Sequence, residues 1–309
     1  MKTLNFLLRA VPPFRLDYTA WALRRRPENM MDRWDGGFYQ RVFVFEGAPV
    51  SVTAVQTGGV DSPALEVSAR GEEKKLRPSL KEDIAAALGR VLGLQTGLKD
   101  FYGMAKKDRD LGPLAERFRG LKPPRFPTVF EGLVNAMACQ QLSLLVGIRL
   151  LNRITEAWGR HFEGDGGGSA FPLPEDLAGV PQEGFRSMGY SAQKARAIRE
   201  LSDRITKGLL DPEGLGPMDD ESALRELLGI RGVGRWSAEY VLLRGLGRVR
   251  IFPGDDAGAR KKLAMWLGVT ERLDYNGVGG IVSRWSPYGG LVYFHLLLKG
   301  LESKGYINE

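Results

Sequence analysis

The chain has 309 residues, 43% of them hydrophobic and 26% charged, the balance of an ordinary globular protein with room for two or three domains. A net charge of +7 and a pI near 9.5 favour a polyanionic partner (DNA, RNA or an anionic membrane surface), although a simply soluble basic enzyme has the same balance. One cysteine, Cys139, and two histidines, His161 and His295, exclude a disulfide framework and a four-cysteine zinc or iron–sulfur site; a histidine zinc site would need carboxylate help. No apolar run approaches the roughly 18 residues of a membrane span and no secretory segment opens the chain, so the expected location is cytoplasmic, with no membrane partner.

Taken in chain order, Phe38–Glu46 and Ser51–Gln56 are rich in β-branched and aromatic residues and flank Gly47-Ala48-Pro49, which predicts an antiparallel hairpin. Leu65–Arg70 predicts a third strand, and Leu80–Leu92 has helical apolar spacing. From about Leu111 helices dominate. Lys122-Pro123-Pro124-Arg125-Phe126-Pro127 is a rigid connector, because its prolines cannot continue a helix. Val129–Ala138 places Phe130, Leu133, Val134 and Met137 on one helical face, and Leu144–Trp158 predicts a second long helix. Gly164–Ser169 reads as a flexible surface loop, followed by short helices around Pro174–Leu177, Phe185–Met188, Ser191–Thr206 and Ser222–Leu228. The expected fold class is α+β: an N-terminal antiparallel sheet domain with helices over residues 1–105, then an all-α core over 106–309. That core divides into a central subdomain, 126–225, and a second made of 106–125 with 226–309.

Gly232-Val233-Gly234 can turn successive amides outward toward an anion, and the positive dipole end of a helix starting near Arg235 reinforces this. Such a device holds phosphate without reading base edges. Gly-x-Gly also occurs in ordinary turns; the preceding amphipathic helix and the small residues Ser237-Ala238 favour a helix-hairpin-helix. About twenty residues on, Pro253-Gly254-Asp255-Asp256 opens another helix, where an aspartate serves either as N-cap or as a carboxylate facing a cleft. Spacing alone leaves both roles open.

Leu228–Ala238 followed by Phe252-Pro253-Gly254-Asp255-Asp256 resembles the helix-hairpin-helix and Gly/Pro-Asp signature of DNA glycosylases. Ala138-Cys139-Gln140-Gln141-Leu142-Ser143, Met188-Gly189-Tyr190 through Lys194-Ala195, and Arg284-Trp285-Ser286-Pro287-Tyr288 extend the resemblance to the 3-methyladenine DNA glycosylase II (AlkA-like) group. It is strongest over residues 122–299 and looser over the N-terminal domain, for which it implies a TBP-like sheet. The implied activity is hydrolysis of the N-glycosidic bond of alkylated purines, with deaminated purines as a further class, flipped from double-stranded DNA, leaving an abasic site in base excision repair.

The resemblance assigns catalysis to Asp256, with Asp255 as the helix cap. Trp236 stands where bifunctional relatives carry a Schiff-base lysine, which implies a monofunctional enzyme. Trp236, Tyr240 and Tyr288 are the expected base pocket, since aromatic faces attract an electron-poor base. Gln140 and Gln141 are expected at the DNA, with Gln141 at the wedge position; the best-known relative has an apolar residue there, so this chain departs from the pattern. Gly232, Val233, Gly234, Arg235 and Arg260 are the expected DNA anchor, within a basic group that includes Arg244, Arg248, Arg250, Lys261 and Lys262. The resemblance also implies a Na+ or K+ on the carbonyls of Leu228, Ile230 and Val233, no required cofactor, and a monomer associated with the nucleoid. A non-catalytic helix-hairpin-helix DNA-binding protein and a bifunctional oxidised-base glycosylase-lyase are the competing readings.

Overall fold

The computed structural model describes residues 1–164 and 166–307; Asp165, within the expected Gly164–Ser169 loop, lies outside the described residues. Five strands, β1 (Lys2–Arg9), β2 (Arg33–Trp34), β3 (Phe38–Phe45), β4 (Ala48–Gln56) and β5 (Ala64–Gly71), form an antiparallel sheet in the order β1-β5-β4-β3-β2. The β3–β4 turn is Glu46-Gly47, both with positive φ (48° and 76°), the geometry that matches the right-handed twist of the flanking strands. Ala48 and Pro49 already belong to β4, so the turn lies earlier than the proline suggested.

The helices are α1 (Leu16–Arg24), α2 (Leu80–Val91), α3 (Lys99–Ala105), α4 (Leu111–Arg117), α5 (Val129–Cys139), α6 (Leu144–Trp158) and α7 (Pro174–Ala178). They continue as α8 (Gln182–Ser187), α9 (Ala192–Thr206), α10 (Asp220–Leu228), α11 (Arg235–Arg244), α12 (Ala257–Leu267), α13 (Tyr275–Val282) and α14 (Gly289–Glu302). Side-chain oxygens start many of them: Thr128, Ser143, Ser191, Asp219, Asp256 and Asp274 each accept a backbone N–H from the first turn that follows.

Three apolar cores result. One packs the sheet on α2 through Phe14, Val52, Val67, Ile84 and Leu88. A second gathers α5, α6, α9 and the hairpin residues Leu227, Ile230 and Val233. The third joins α1, α3 and α4 to the C-terminal helices through Phe101, Phe118, Leu263 and Phe294. Packing changes hands inside α11, where Leu242 belongs to the second core and Leu243 to the third. This helix therefore spans the seam that carries the site.

Candidate active site

The hairpin is a tight turn with a buried pin. After α10, Ile230 N–H bonds Leu227 O and Val233 N–H bonds Ile230 O, while Gly232 adopts φ +83°. Ile230 and Val233 are buried, whereas Gly232, Gly234 and Arg235 are exposed. Apolar anchoring on one side thus presents backbone amides and the α11 N-terminus on the other, as phosphate binding requires. A side chain at 232 would force its surroundings to shift, because a Cβ there would stand 2.8 Å from Ala197 Cβ.

One turn of α11 grips the aspartate loop at three points. Arg235 Nε donates to Asp255 Oδ2 at 2.6 Å while its guanidinium stacks 3.8 Å from the Tyr275 ring centre. Trp236 Nε1 donates to Asp256 Oδ2 at 3.3 Å. Glu239 accepts Gly254 N–H at 3.1 Å and Tyr275 OH at 2.6 Å. Burial pushes the Glu239 carboxyl above its ordinary value, partly offset by these two donors.

Asp256 both caps α12 and faces the cleft. Its Oδ1 accepts Ala259 N–H at 2.8 Å; its Oδ2 accepts Trp236 Nε1 and, from α14, Tyr293 OH at 3.3 Å. The expectation that Asp255 is the cap is therefore wrong. Asp255 is occupied by Arg235, and the two roles offered as alternatives for an aspartate here coincide in one residue. Burial and the nearby Asp256 hold the Tyr293 phenol far above its ordinary value, so it remains a donor.

The cleft has a volume of about 550 Å³, and Asp255, Asp256, Trp236, Tyr240, Tyr293, Arg25 and Lys262 line it, with Gln140 and Gln141 also on its wall. Trp236 stacks on Tyr240 at 5.4 Å between ring centres. Behind them Arg25 Nη1 donates to Tyr240 OH at 2.7 Å, and that hydroxyl donates to Asn135 Oδ1 at 3.1 Å. Tyr288, by contrast, packs edge-on against Phe101 in the third core, 5.7 Å between centres, and does not line the cleft. Tyr293, five residues further on α14, is the aromatic that reaches Asp256.

The glutamines divide. Gln140 Nε2 donates to Gly232 O and Ser237 Oγ, both at 2.7 Å, tying the α5–α6 turn to the hairpin. Gln141 is exposed and held at φ +56°, the left-handed region. Lys194 closes the end of α5 by donating to the carbonyls of Ala138 (3.0 Å) and Gln140 (2.7 Å). The basic group also divides. Arg244 is fully buried and donates to Ala22 O at 2.9 Å, and Arg248 and Arg250 pair with Asp220, so these three do not offer free charge to a polyanion. The half-buried Arg260 side chain forms no ion pair or hydrogen bond among the described residues, and Lys261 is exposed.

Sequence reasoning missed Arg25 and Tyr293. Arg25 sits in the run Arg24-Arg25-Arg26, which reads as a solvated patch; nothing local marks the middle residue as the one that turns inward from the αL end of α1. Tyr293 lies in a wholly apolar stretch of α14, where an aromatic looks like core.

An exposed amide hairpin beside an aspartate-bearing aromatic cleft defines a helix-hairpin-helix protein that holds a polyanion against a carboxylate. The family model for the HhH-GPD superfamily of base excision DNA repair proteins matches residues 134–285. The DNA-3-methyladenine glycosylase of Bacillus subtilis (strain 168) is 26% identical over 243 residues, 78% of this chain and 80% of the relative. DNA-3-methyladenine glycosylase 2 of Escherichia coli (strain K12) is 25% identical over 296 residues, 96% of each. The solved 3-methyladenine DNA-glycosylase of Archaeoglobus fulgidus superposes with a TM-score of 0.80 at 27% identity, covering 96% of this chain and 97% of that one. The chain belongs to the helix-hairpin-helix glycosylase superfamily, in its AlkA-like branch.

Proposed function

We propose that the protein is a monofunctional DNA glycosylase that releases alkylated purines from double-stranded DNA by hydrolysis. The observation that carries this is the placement of Asp256 Oδ2, held by Trp236 and Tyr293 on the wall of an aromatic cleft beside the hairpin. The exposed amides of Gly232 and Gly234, the α11 N-terminus and the free charges of Arg260 and Lys261 supply phosphate contacts. Exposed Gln141 stands at the cleft edge as the side chain to fill the gap left by a flipped nucleotide.

As the glycosidic bond lengthens, the base leaves with the bonding electrons and the sugar becomes cation-like. The Asp256 carboxylate stabilises that charge, water adds at C1′, and its proton passes to the carboxylate or to solvent. Trp236 and Tyr240 offer stacking faces to an electron-poor base whose bond to the sugar is already weakened. Trp236 has no amine, so the hairpin helix supplies no Schiff-base step.

A monovalent cation would be held by the carbonyls of Leu228, Ile230 and Val233, oxygen donors at a helix end and in a tight turn; Ile230 O also accepts Val233 N–H at 3.0 Å. Bound there, it would fix the hairpin geometry. We assign the protein to the nucleoid as a monomer. Among the described residues no helix is long and apolar enough to cross a membrane.

Mass-spectrometric detection of free bases released from methylated and from deaminated duplex DNA tests the reading. Asp256→Asn should cut release by roughly 10² to 10³-fold while sparing DNA binding. Asparagine remains an N-cap, so α12 stays intact. Unchanged release by the variant would remove Asp256 from catalysis, and no release by the native chain would overturn the function.

A further inference from the structure

The base-release step described above leaves the lysine amine in the cleft unused. Lys262, on α12, lines the same cleft as Asp256. Its stem lies along α14: a Cβ added at Gly300 would meet Lys262 Cε at 2.6 Å. A Cβ added at Gly258 would stand 3.2 Å from Asp256 Oδ1 and 3.8 Å from Lys262 Nζ, so the carboxylate and the amine flank one glycine. The Lys262 amine forms no hydrogen bond or ion pair among the described residues, unlike those of Lys122 and Lys194, which are held by carbonyls. The charged groups that act on it are Asp256 and Lys304.

We propose that Lys262 captures the abasic product covalently, its Nζ forming an imine with the open-chain C1′ aldehyde of the sugar. The inference rests on the glycosylase reading only for placing C1′ at Asp256. The hemiacetal ring opens to the aldehyde; the neutral amine adds to C1′, the carbinolamine loses water, and the imine nitrogen is left protonated. Water reverses the sequence and returns the free amine, so the step needs no oxidant, reductant or cofactor. Burial lowers the pKa of the Lys262 ammonium, with Lys304 acting in the same direction and Asp256 opposing it. A larger share of neutral amine follows, as in other amine nucleophiles that act on carbonyls. Asp256 stands where it can exchange the protons that addition and dehydration require. Trp236 offers no amine from α11, whereas Lys262 offers one from α12.

The test uses the full-length protein with a duplex carrying one abasic site made beforehand by excising uracil, so that it does not depend on the protein's own base release. Borohydride reduces any imine to a stable secondary amine. A protein–DNA adduct is expected, peptide mapping should place it on Lys262, and Lys262→Arg should lower its yield roughly tenfold or more, since guanidinium keeps the charge but not the nucleophile. Lys207→Arg, altering an exposed lysine at the end of α9 outside the cleft, should trap as the native chain does. Absence of an adduct, an adduct mapped to another lysine or the N-terminus, or an undiminished yield with Lys262→Arg would each overturn the proposal. Mapping on the native chain decides the matter even if the variant folds poorly. Trapping without base release from methylated DNA would sink the glycosylase reading alone; base release without trapping would sink this one alone.

Discussion

At the scale of single residues, the site is a carboxylate with three of its roughly four acceptor positions taken. Three donors converge on Asp256, one from the backbone and two from side chains, so the group cannot rotate out of the cleft without losing a bond. Tyr293→Phe removes one donor and leaves the ring in place. Single-turnover base release should slow by about tenfold, or about 1.4 kcal/mol, with substrate affinity little changed. An unaltered rate would mean that the Tyr293 hydroxyl does not position the carboxylate. That an aspartate of this loop faces a cleft was legible from its motif, but the division of labour between Asp255 and Asp256 was not. Adjacent carboxylates at a helix start look equivalent until Arg235 and Tyr275 claim one of them. Tyr288 was misplaced for a related reason. α14 is apolar around most of its circumference, so its sequence does not say which aromatic faces the cleft and which faces Phe101.

At the scale of elements, α11 is the part that organises the others: it begins at the hairpin, clamps the Gly254–Asp256 loop, and contributes Tyr240 to the cleft. The hairpin glycines give an internal comparison. Gly232→Ala combines positive φ with a 2.8 Å approach to Ala197, and should destabilise the fold by about 1 to 3 kcal/mol while weakening DNA binding. Gly234→Ala meets nothing within 4 Å and has φ −98°, so its stability cost should be the smaller, under about 1 kcal/mol. Equal denaturation midpoints for the two would contradict the geometry. Helices and the hairpin were readable because apolar period, caps and glycines agree over long stretches. β1 was missed although Leu4, Phe6 and Leu8 alternate inward on it, and α1 was missed because Arg24-Arg25-Arg26 masks its end as a charge run. Two-residue β2 offers no period to read.

At the scale of the whole molecule, buried charge and buried rings join units that the sequence shows only separately. Arg41 of β3 pairs with Asp32 at 2.7 Å and with Glu131 of α5 at 2.6 Å, fastening the sheet to the helical core in a site where loss of either partner leaves a buried charge uncompensated. His295 marks the corresponding joint in the third core. It is fully buried between Phe101 and Phe118, its Nδ1 donates to Leu291 O at 2.7 Å, and its Nε2 has no partner. Burial pushes its pKa down to about 4 from the ordinary 6.5, the Leu291 carbonyl opposing the shift only in part. The folded chain therefore holds His295 neutral where the unfolded chain protonates it. Its stability is undiminished above pH 6.5 and is lost as pH falls from 6.5 toward 4, at up to about 1.4 kcal/mol per pH unit and about 3 kcal/mol in all. Urea unfolding of the native chain and of His295→Leu at pH 7, 5.5 and 4 separates this contribution from that of the carboxylates, which both proteins share. The difference in unfolding free energy should move in favour of the variant as pH falls. Parallel pH profiles would show that His295 is protonated alike in the folded and unfolded chains, and that the joint between α14 and the N-terminal helices is open to water.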